Sequence, residues 1–190
     1  MANPTLIAPK LDGLVIHTFK RREHLSLREN ALWQIESGAV RTYTLTQDST
    51  IISLGFWGLG DTVGQPLTCI QPYEVECLTD VKVRALQSSE CGHLNQVLLC
   101  HLHQTQTLLQ CRSGQIHQRL QQLLDWLAAK FGHESEQGQL IRLRLTHQDI
   151  AETLGTTRVT VTRLLSKFEQ EGRIHWIDQH LLVPRKLQIC

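Results

Sequence analysis

The side chains best suited to chemistry lie near the C-terminus of the chain. They are hydroxyl, basic and small apolar residues: Thr156, Thr157, Arg158, Val159, Thr160, Thr162, Arg163 and Lys167. An arginine can donate two hydrogen bonds to O6 and N7 of guanine, and a threonine can reach base edges or phosphates. The apolar residues at 161, 164, 165 and 168 recur at helical spacing, so the polar side chains occupy the opposite face. Such a helix suits the major groove of double-stranded DNA.

A shorter helix is predicted directly before this one. Thr146 is a candidate N-cap, and Asp149 three residues later completes a weak form of the capping box. Gly155 supplies the positive-φ residue that ends the helix and turns the chain sharply. Thr156 or Thr157 then caps the second helix. The pattern predicts a helix-turn-helix whose DNA-facing residues also include Thr146 and Gln148.

Strands are predicted on both sides of this motif. The stretch Gln139–Leu145 alternates apolar and basic residues like a half-buried strand. Residues 174–177 and 181–183 read as a hairpin closed by Pro184. Strand, two helices and hairpin together predict a winged helix. The alternative, a helix hairpin on the surface of an unrelated domain, does not explain the strands.

Leu145–Ile174 resembles the DNA-binding domain of the Crp/Fnr family of bacterial transcription regulators. The segment TTRVTVTRLL (Thr156–Leu165) is especially similar to the recognition helix of the nitrogen-control branch. The resemblance implies a homodimer that binds a two-fold symmetric operator and contacts RNA polymerase. It also implies that Arg158, Val159 and Arg163 face the bases. Many relatives carry an acidic residue in place of Val159, so we expect a different half-site here.

Composition places the chain among ordinary globular proteins. It has 190 residues, 41% hydrophobic and 19% charged, with a net charge of only +1. Eight basic and five acidic residues lie between 141 and 190, so the positive excess sits in the predicted DNA-binding part. There is no apolar run of roughly 18 residues and no signal-peptide pattern, so we expect a cytoplasmic protein without a membrane partner.

The N-terminal half has the pattern of a β roll. Short alternating segments separated by turn residues predict six strands: 14–19, 31–35, 39–45, 50–54, 75–78 and 81–86. Segments 35–41 and 60–67 resemble the sensor roll of the same family. The predicted fold class is therefore α+β: a cupin-like β-roll sensor domain (1–88), a dimerisation helix (89–112) and a winged helix-turn-helix domain (113–190).

The segment that resembles the family's effector cassette departs from the cyclic-nucleotide binders. Gln71 and Pro72 stand where the resemblance places a phosphate-binding Arg-Ser pair, and Gln65 stands in place of a glutamate. A buried phosphate without a cation is unfavourable by several kcal/mol. We expect a pocket at Gly64, Gln65, Gln71 and Tyr73 that does not take cyclic AMP in the usual way.

A helix over residues 90–111 carries a seam of mostly apolar residues spaced alternately four and three apart: Leu94, Leu98, His101, Thr105 and Leu108, flanked by Leu102 and Leu109. Pairing with a second copy would bury this seam; a core helix within one chain is the alternative. A second helix follows over 116–131. The polar, glycine-bounded stretch 132–138 after it is the predicted domain boundary.

Six cysteines without a C-x-x-C pair argue against a zinc finger or a disulfide framework. Cys91, His93, Cys100, His103 and Cys111 could nevertheless hold a metal, haem or a redox pair, although buried structural cysteines are the simpler interpretation. The four tryptophans are expected in the core. We find no catalytic motif and expect no enzyme. Three hypotheses remain: a dimeric, sequence-specific DNA-binding regulator with a degenerate or altered effector pocket and no cofactor or an unknown one, a redox-, haem- or metal-gated regulator, and an architectural DNA-binding protein without sequence preference.

Overall fold

Two antiparallel sheets form the N-terminal part of the protein. The computed structural model describes residues 16–25, 31–86 and 94–185. Its first strands are β1 (Ile16–Phe19), β2 (Leu32–Ser37), β3 (Val40–Leu45), β4 (Ile51–Trp57), β5 (Thr62–Val63), β6 (Glu74–Cys77) and β7 (Val81–Leu86). One sheet has the order β1-β7-β2-β5 and the other β4-β3-β6, and a 3₁₀ turn spans Gln65–Leu67. The predicted β roll is confirmed.

The roll encloses an apolar core because its strands alternate in polarity. In β7, Val81 and Val83 are buried while Lys82 between them is exposed. The core residues include Trp33, Ile35, Val40, Trp57, Val75 and Cys77. Gly38 makes the tight β2–β3 turn at φ +84°, where an added Cβ would lie 2.2 Å from the Asp80 carbonyl oxygen. Only glycine fits this turn.

Four helices and four further strands follow in the described part of the chain. They are α1 (Leu94–Gln110), α2 (Ile116–Phe131), β8 (Gly132–Ser135), β9 (Gly138–Ile141), α3 (His147–Leu154), α4 (Arg158–Gln170), β10 (His175–Ile177) and β11 (His180–Pro184). The strands form one antiparallel sheet of order β10-β11-β9-β8. The predicted winged helix is present, although β9 ends four residues earlier than expected.

The predicted boundary at 132–138 is wrong. These residues form the β8–β9 hairpin, which turns at Glu136 and Gln137 and whose strand β9 pairs with β11. Gly132 joins α2 directly to β8, and an added Cβ there would lie 2.1 Å from the Ala128 carbonyl oxygen. The glycines and polar residues that suggest a linker in the sequence are the residues that a tight hairpin requires.

One hydrophobic core crosses from the roll into the helical part. Ala39, Phe56 and Leu78 of the roll pack in the same cluster as Leu124 of α2 and Phe168 of α4. The C-terminal helical part is therefore packed directly against the roll. None of the described helices is long and apolar enough to cross a membrane.

Helix α1 presents two different faces. His101 stacks on Trp57 with ring centroids 4.0 Å apart and bonds to the Thr62 carbonyl at 2.9 Å. Gln104 accepts a hydrogen bond from the Phe56 amide, and Leu108 is buried. An adjacent stripe of the helix is exposed along its length: Leu94, Leu98, Leu102, Thr105 and Leu109. Leu102, Thr105 and Leu109 of this stripe also line a cavity between α1 and the roll. The seam predicted through His101 and Leu108 is thus shifted, because those two side chains pack on the chain's own roll.

Candidate nucleic-acid interface

Helix α3 begins and ends through the signals read in the sequence. Thr146 accepts a hydrogen bond from the Asp149 amide at 3.1 Å, and Asp149 accepts one from the Thr146 amide at 2.8 Å. This reciprocal capping box satisfies two free amides of the first turn. Gly155 ends the helix in the left-handed conformation at φ +62°. Both predictions are confirmed.

Helix α4 is capped by Thr157, whose hydroxyl accepts from the Thr160 amide at 3.2 Å. Val161, Leu165 and Phe168 are buried on the face that packs in the core shared with α3, and Leu164 is half-buried. The amphipathic pattern in the sequence therefore orients α4, because burial of these apolar side chains leaves the remaining face to solvent.

Two arginines and a valine stand free on the exposed face of α4. Arg158 and Arg163 are exposed and make no ion pair within the described residues. Val159, at the first turn, is 67% exposed and adds a small apolar contact point to this face. Lys167 lies 3.7 Å from Glu171, an exposed pair one turn apart that contributes little to stability. This face can donate hydrogen bonds to base edges.

The threonines of α4 are more constrained than the sequence suggests. Thr160 bonds to the Thr157 hydroxyl at 2.9 Å, and Thr162 donates to the Arg158 carbonyl at 2.9 Å. Thr162 also contacts His147 Nδ1 at 2.8 Å and so links the two helices. Burial, and then the charge of Arg158, lower the pKa of His147. The hydroxyls of Thr160 and Thr162 therefore also make hydrogen bonds within the helix-turn-helix.

The hairpin β10–β11 lies beside the same surface. Asp178 and Gln179 turn it with φ +47° and +66°, the left-handed pair that two-residue hairpins prefer. Trp176 is 37% exposed and its ring lies 6.3 Å from the His147 ring. The expectation of a core tryptophan is wrong at this position, although Trp33 and Trp57 are buried. Because β10 is an edge strand, one face of Trp176 remains open to solvent.

A buried ion-pair cluster joins the roll to α3. Arg41 of β3 bonds to Glu76 Oε2 at 2.6 Å, and its Nη1 reaches Asp149 at 3.1 Å and Glu152 at 2.8 Å. Arg22 bonds to Glu76 at 2.7 Å and to Asp149 at 3.0 Å. The side chains of Arg41 and Asp149 are 6% and 2% exposed, so neither charge can be left without its partner. We name these five residues the junction cluster.

Asp149 serves both the helix cap and the junction cluster. Burial alone would raise its pKa, but hydrogen bonds from Arg22 and the Thr146 amide, with the charge of Arg41, hold the pKa below its usual value. Its contribution to stability is therefore full above the unfolded-state value of about 4 and is lost as the pH falls through the lower folded value.

Two further contacts bind α3 to the roll side of the protein. Ser53 and Thr153 share a hydrogen bond of 3.0 Å between their hydroxyls. Arg112, just after α1, donates to the Thr153 carbonyl at 3.1 Å and to the Glu152 carbonyl at 3.2 Å. Sequence reasoning missed these residues and the junction cluster because their partners are 35 or more positions apart and follow no local period.

A cavity of about 300 Å³ lies between the roll and α1. Tyr73 lines it, and burial raises the pKa of that phenol to about 12. Gly64, Gln65 and Gln71 do not line it. Gly64 packs so closely that an added Cβ would lie 2.4 Å from the Ala31 carbonyl oxygen, and Gln71 is exposed. Its other polar lining residues are Thr42, Ser53, Thr68, His101, Thr105 and Arg112.

The cysteines fall in different surroundings. Cys100 is exposed, whereas Cys77 and Cys111 are buried. Burial raises the pKa of the Cys77 thiol to about 12 and also raises the pKa of the Cys111 thiol. Cys91 and His93 lie outside the described residues. Among the residues that are described, no group of three or more His, Cys, Asp or Glu side chains could hold a metal ion.

Comparisons with known proteins agree with this geometry. Residues 118–188 match the Crp-like helix-turn-helix domain. The chain is 44% identical over 167 residues to the regulatory protein CysR of Synechococcus elongatus, covering 86% of this chain and 81% of CysR. It is 48% identical over 56 residues to the global nitrogen regulator of the same organism, covering 30% of this chain and 25% of that relative.

A solved structure shows the same fold over most of the chain. A CRP-family transcriptional regulator from Thermus thermophilus superposes with a TM-score of 0.73 at 24% identity. The match covers 88% of this chain and 91% of the Thermus protein. The roll, the long helix and the helix-turn-helix therefore occur in the same arrangement in both molecules.

The junction cluster generates a stability prediction. Arg41→Met removes the cation that faces three carboxylates and leaves Glu76 and Asp149 buried with Arg22 as their remaining partner. We expect the free energy of unfolding to fall by roughly 3–5 kcal/mol, measured by urea denaturation at pH 7.

Arg84→Met is the matched control, since Arg84 pairs with Glu36 on the exposed side of the same roll. There the loss should be about 1 kcal/mol or less. Equal losses of unfolding free energy in the two variants would mean that the junction cluster stabilises the protein no more than an exposed ion pair does.

Proposed function

Because the chain belongs to the Crp/Fnr family of transcription regulators, a family of regulators and not of enzymes, we propose that it acts as a sequence-specific homodimer. In this proposal the dimer reads a two-fold symmetric operator through Arg158 and Arg163. RNA polymerase is the partner that such a regulator acts on. The observation that carries the proposal is the exposed face of α4, where two arginines without ion-pair partners in the described chain flank an exposed valine.

The chemistry of this face fits base readout. Each guanidinium can donate to O6 and N7 of a guanine, and Val159 can contact a thymine methyl group. The hydroxyls of Thr160 and Thr162 are held by neighbouring groups in the helix, so the arginines supply most of the freely available donors. By resemblance to the nitrogen-control branch we expect a half-site similar to GTA, with at least one G·C pair.

The exposed face of α1 supports the dimer. Leu94, Leu98, Leu102 and Leu109 are each at least 41% exposed and lie along one stripe with Thr105. A contiguous stripe of leucines is unfavourable in water, and a second copy of α1 across a two-fold axis would bury it. The adjacent face of α1, with His101, Gln104 and Leu108, packs on the roll.

The cavity beneath α1 is the candidate effector pocket, and we propose that cyclic AMP is not its effector. Gln71 is exposed and the cavity wall at Tyr73 carries no cation to match a phosphate. The described cation that lines the cavity, Arg112, already donates to two α3 carbonyls. A haem, metal or redox cofactor involving residues 91–111 remains the alternative, and visible absorbance of the purified protein would reveal haem.

Substitution of either recognition arginine should relax base preference. Arg158→Ala and Arg163→Ala each remove a bidentate donor, so we expect operator binding to weaken by roughly 1–3 kcal/mol while binding to random DNA changes little. Fluorescence anisotropy on both duplexes measures the two affinities. Arg142→Ala removes an exposed arginine of the same domain outside α4 and serves as control. Equal weakening on both duplexes would identify the arginines as backbone contacts.

A charge in the α1 stripe should separate the protomers. Leu98→Asp would place a carboxylate in an apolar interface, so sedimentation should show a monomer in place of a dimer. Leu59→Asp makes the same change at a 77% exposed leucine of the roll and should leave the dimer intact. A Leu98→Asp protein that sediments like the unmodified dimer would place the dimer interface elsewhere.

Operator spacing should matter because both recognition helices must meet the major groove on one face of the duplex. Half-sites about 34 Å, or 10–10.5 base pairs, apart satisfy this condition. Five inserted base pairs turn the second half-site to the opposite face, and affinity should fall towards the non-specific level, at least about 10³-fold weaker. Ten inserted base pairs restore the face and serve as control. Unchanged operator affinity after the five-base-pair insertion would contradict the proposed two-fold symmetric complex.

Cyclic AMP should leave the protein unaffected. Calorimetric titration of the purified dimer should show no heat of binding at micromolar nucleotide, since no free cation of the described residues faces the phosphate. Cyclic AMP binding in that range would contradict the assignment of Gln65 and Gln71 as degenerate cassette residues.

A further inference from the structure

A basic groove opens where the roll meets the DNA-binding domain. Its volume is about 560 Å³ and its cations are Arg21 from the roll, Arg144 before α3 and Arg158 at the start of α4. Trp176 and Gln179 of the wing hairpin close one side. None of the described residues lining this groove is an aspartate or glutamate. The roll thus contributes one arginine, Arg21, to the groove that the start of the recognition helix also lines.

The guanidinium of Arg21 is held in place by backbone carbonyls. Its Nε donates to the Leu78 carbonyl at 3.1 Å and its Nη2 to the Arg144 carbonyl at 2.9 Å, while the backbone amide of Arg21 donates to Asp80 Oδ1 at 3.1 Å. A guanidinium has five N–H donors, and two of them are occupied here. The remaining donors belong to a planar group whose orientation is already fixed, so little rotamer entropy is lost when it binds a ligand.

The charge of Arg21 is not neutralised, unlike that of its neighbours. Lys20 pairs with Asp80 at 2.9 Å, and Arg22 pairs with Glu76 and Asp149 in the junction cluster. Within the described part of the chain, the guanidinium groups of Arg21, Arg144 and Arg158 have no carboxylate partner. Three arginines around one open groove attract a polyanion with spaced negative charges, which is the pattern of a nucleic-acid backbone.

We propose that Arg21 of the roll contacts a DNA backbone phosphate, together with Arg144, beside the recognition helix. The inference rests on the proposed function and extends the DNA surface of each protomer across both domains. The groove is continuous with Arg158, so a phosphate bound there lies on the duplex that α4 reads. The surface is complete only while the junction cluster holds α3 against the roll.

The salt dependence of binding tests this. Each phosphate contact changes the slope of log affinity against log salt by about 0.9, so Arg21→Gln, which removes one contact per protomer, should reduce the slope of the dimer by roughly 2. Affinity should be measured by anisotropy between about 50 and 200 mM salt on operator and random duplexes, with equal loss on both. Lys82→Gln removes an exposed cation of the roll outside the groove and should leave the slope unchanged.

Footprinting of the unmodified protein gives an independent measurement that does not depend on how a variant folds. Phenylglyoxal modifies accessible arginines, and mass spectrometry of the peptides should show that DNA protects Arg21 and Arg144 but not Arg142. An unchanged salt slope in Arg21→Gln, or unchanged reactivity of Arg21 with DNA bound, overturns the inference while leaving operator recognition intact. Failure of the unmodified protein to prefer any two-fold site would instead overturn the proposed function.

Inorganic phosphate distinguishes a duplex site from a small-anion site. Calorimetry without DNA should show no saturable phosphate binding, because free phosphate lacks the neighbouring contacts of α4 that hold a duplex over the groove. Saturable binding that disappears in Arg21→Gln, with no change in the DNA salt slope, would assign the groove to a small anion and contradict the proposal.

Discussion

The arrangement of the protein depends on the junction cluster, where Arg41 and Arg22 meet Glu76, Asp149 and Glu152. Charges that are almost fully buried must be paired, because an isolated one would be disfavoured by several kcal/mol. Asp149 is also the capping-box residue of α3. The same carboxylate therefore starts the first helix of the DNA-binding motif and attaches that helix to the roll, so local folding and domain placement are coupled through one side chain.

Burial also decides which cations remain without a carboxylate partner. Arg22 and Arg41 form ion pairs with carboxylates of the junction cluster, whereas Arg21, one residue away from Arg22, bonds to backbone carbonyls and its charge is not paired. Arg158 and Arg163 of α4 are exposed and likewise have no carboxylate partner among the described residues. A continuous basic surface follows from this division between paired and unpaired guanidinium groups.

Helix α1 connects the remaining parts of the molecule. His101 and Gln104 pack on the roll beside the cavity, while an adjacent stripe of leucines is exposed. Arg112 and Ser53 line the cavity and bond to the C-terminal end of α3. Two hydrogen-bonding side chains therefore connect the cavity wall to the helix-turn-helix.

Local signals in the sequence determined much of this structure. Alternating polarity indicated six of the roll's strands, and the Thr146 cap, the Gly155 turn and the apolar period of α4 defined the motif, because each acts within a few residues of itself. The hairpin at 132–138 was misread since turn and linker share a composition. Only tertiary structure decided the face of α1 taken by His101, the exposure of Trp176 and the pairing of Arg41 with Asp149. Those outcomes depend on contacts between residues that are far apart in the sequence, which no local periodicity of the sequence reveals.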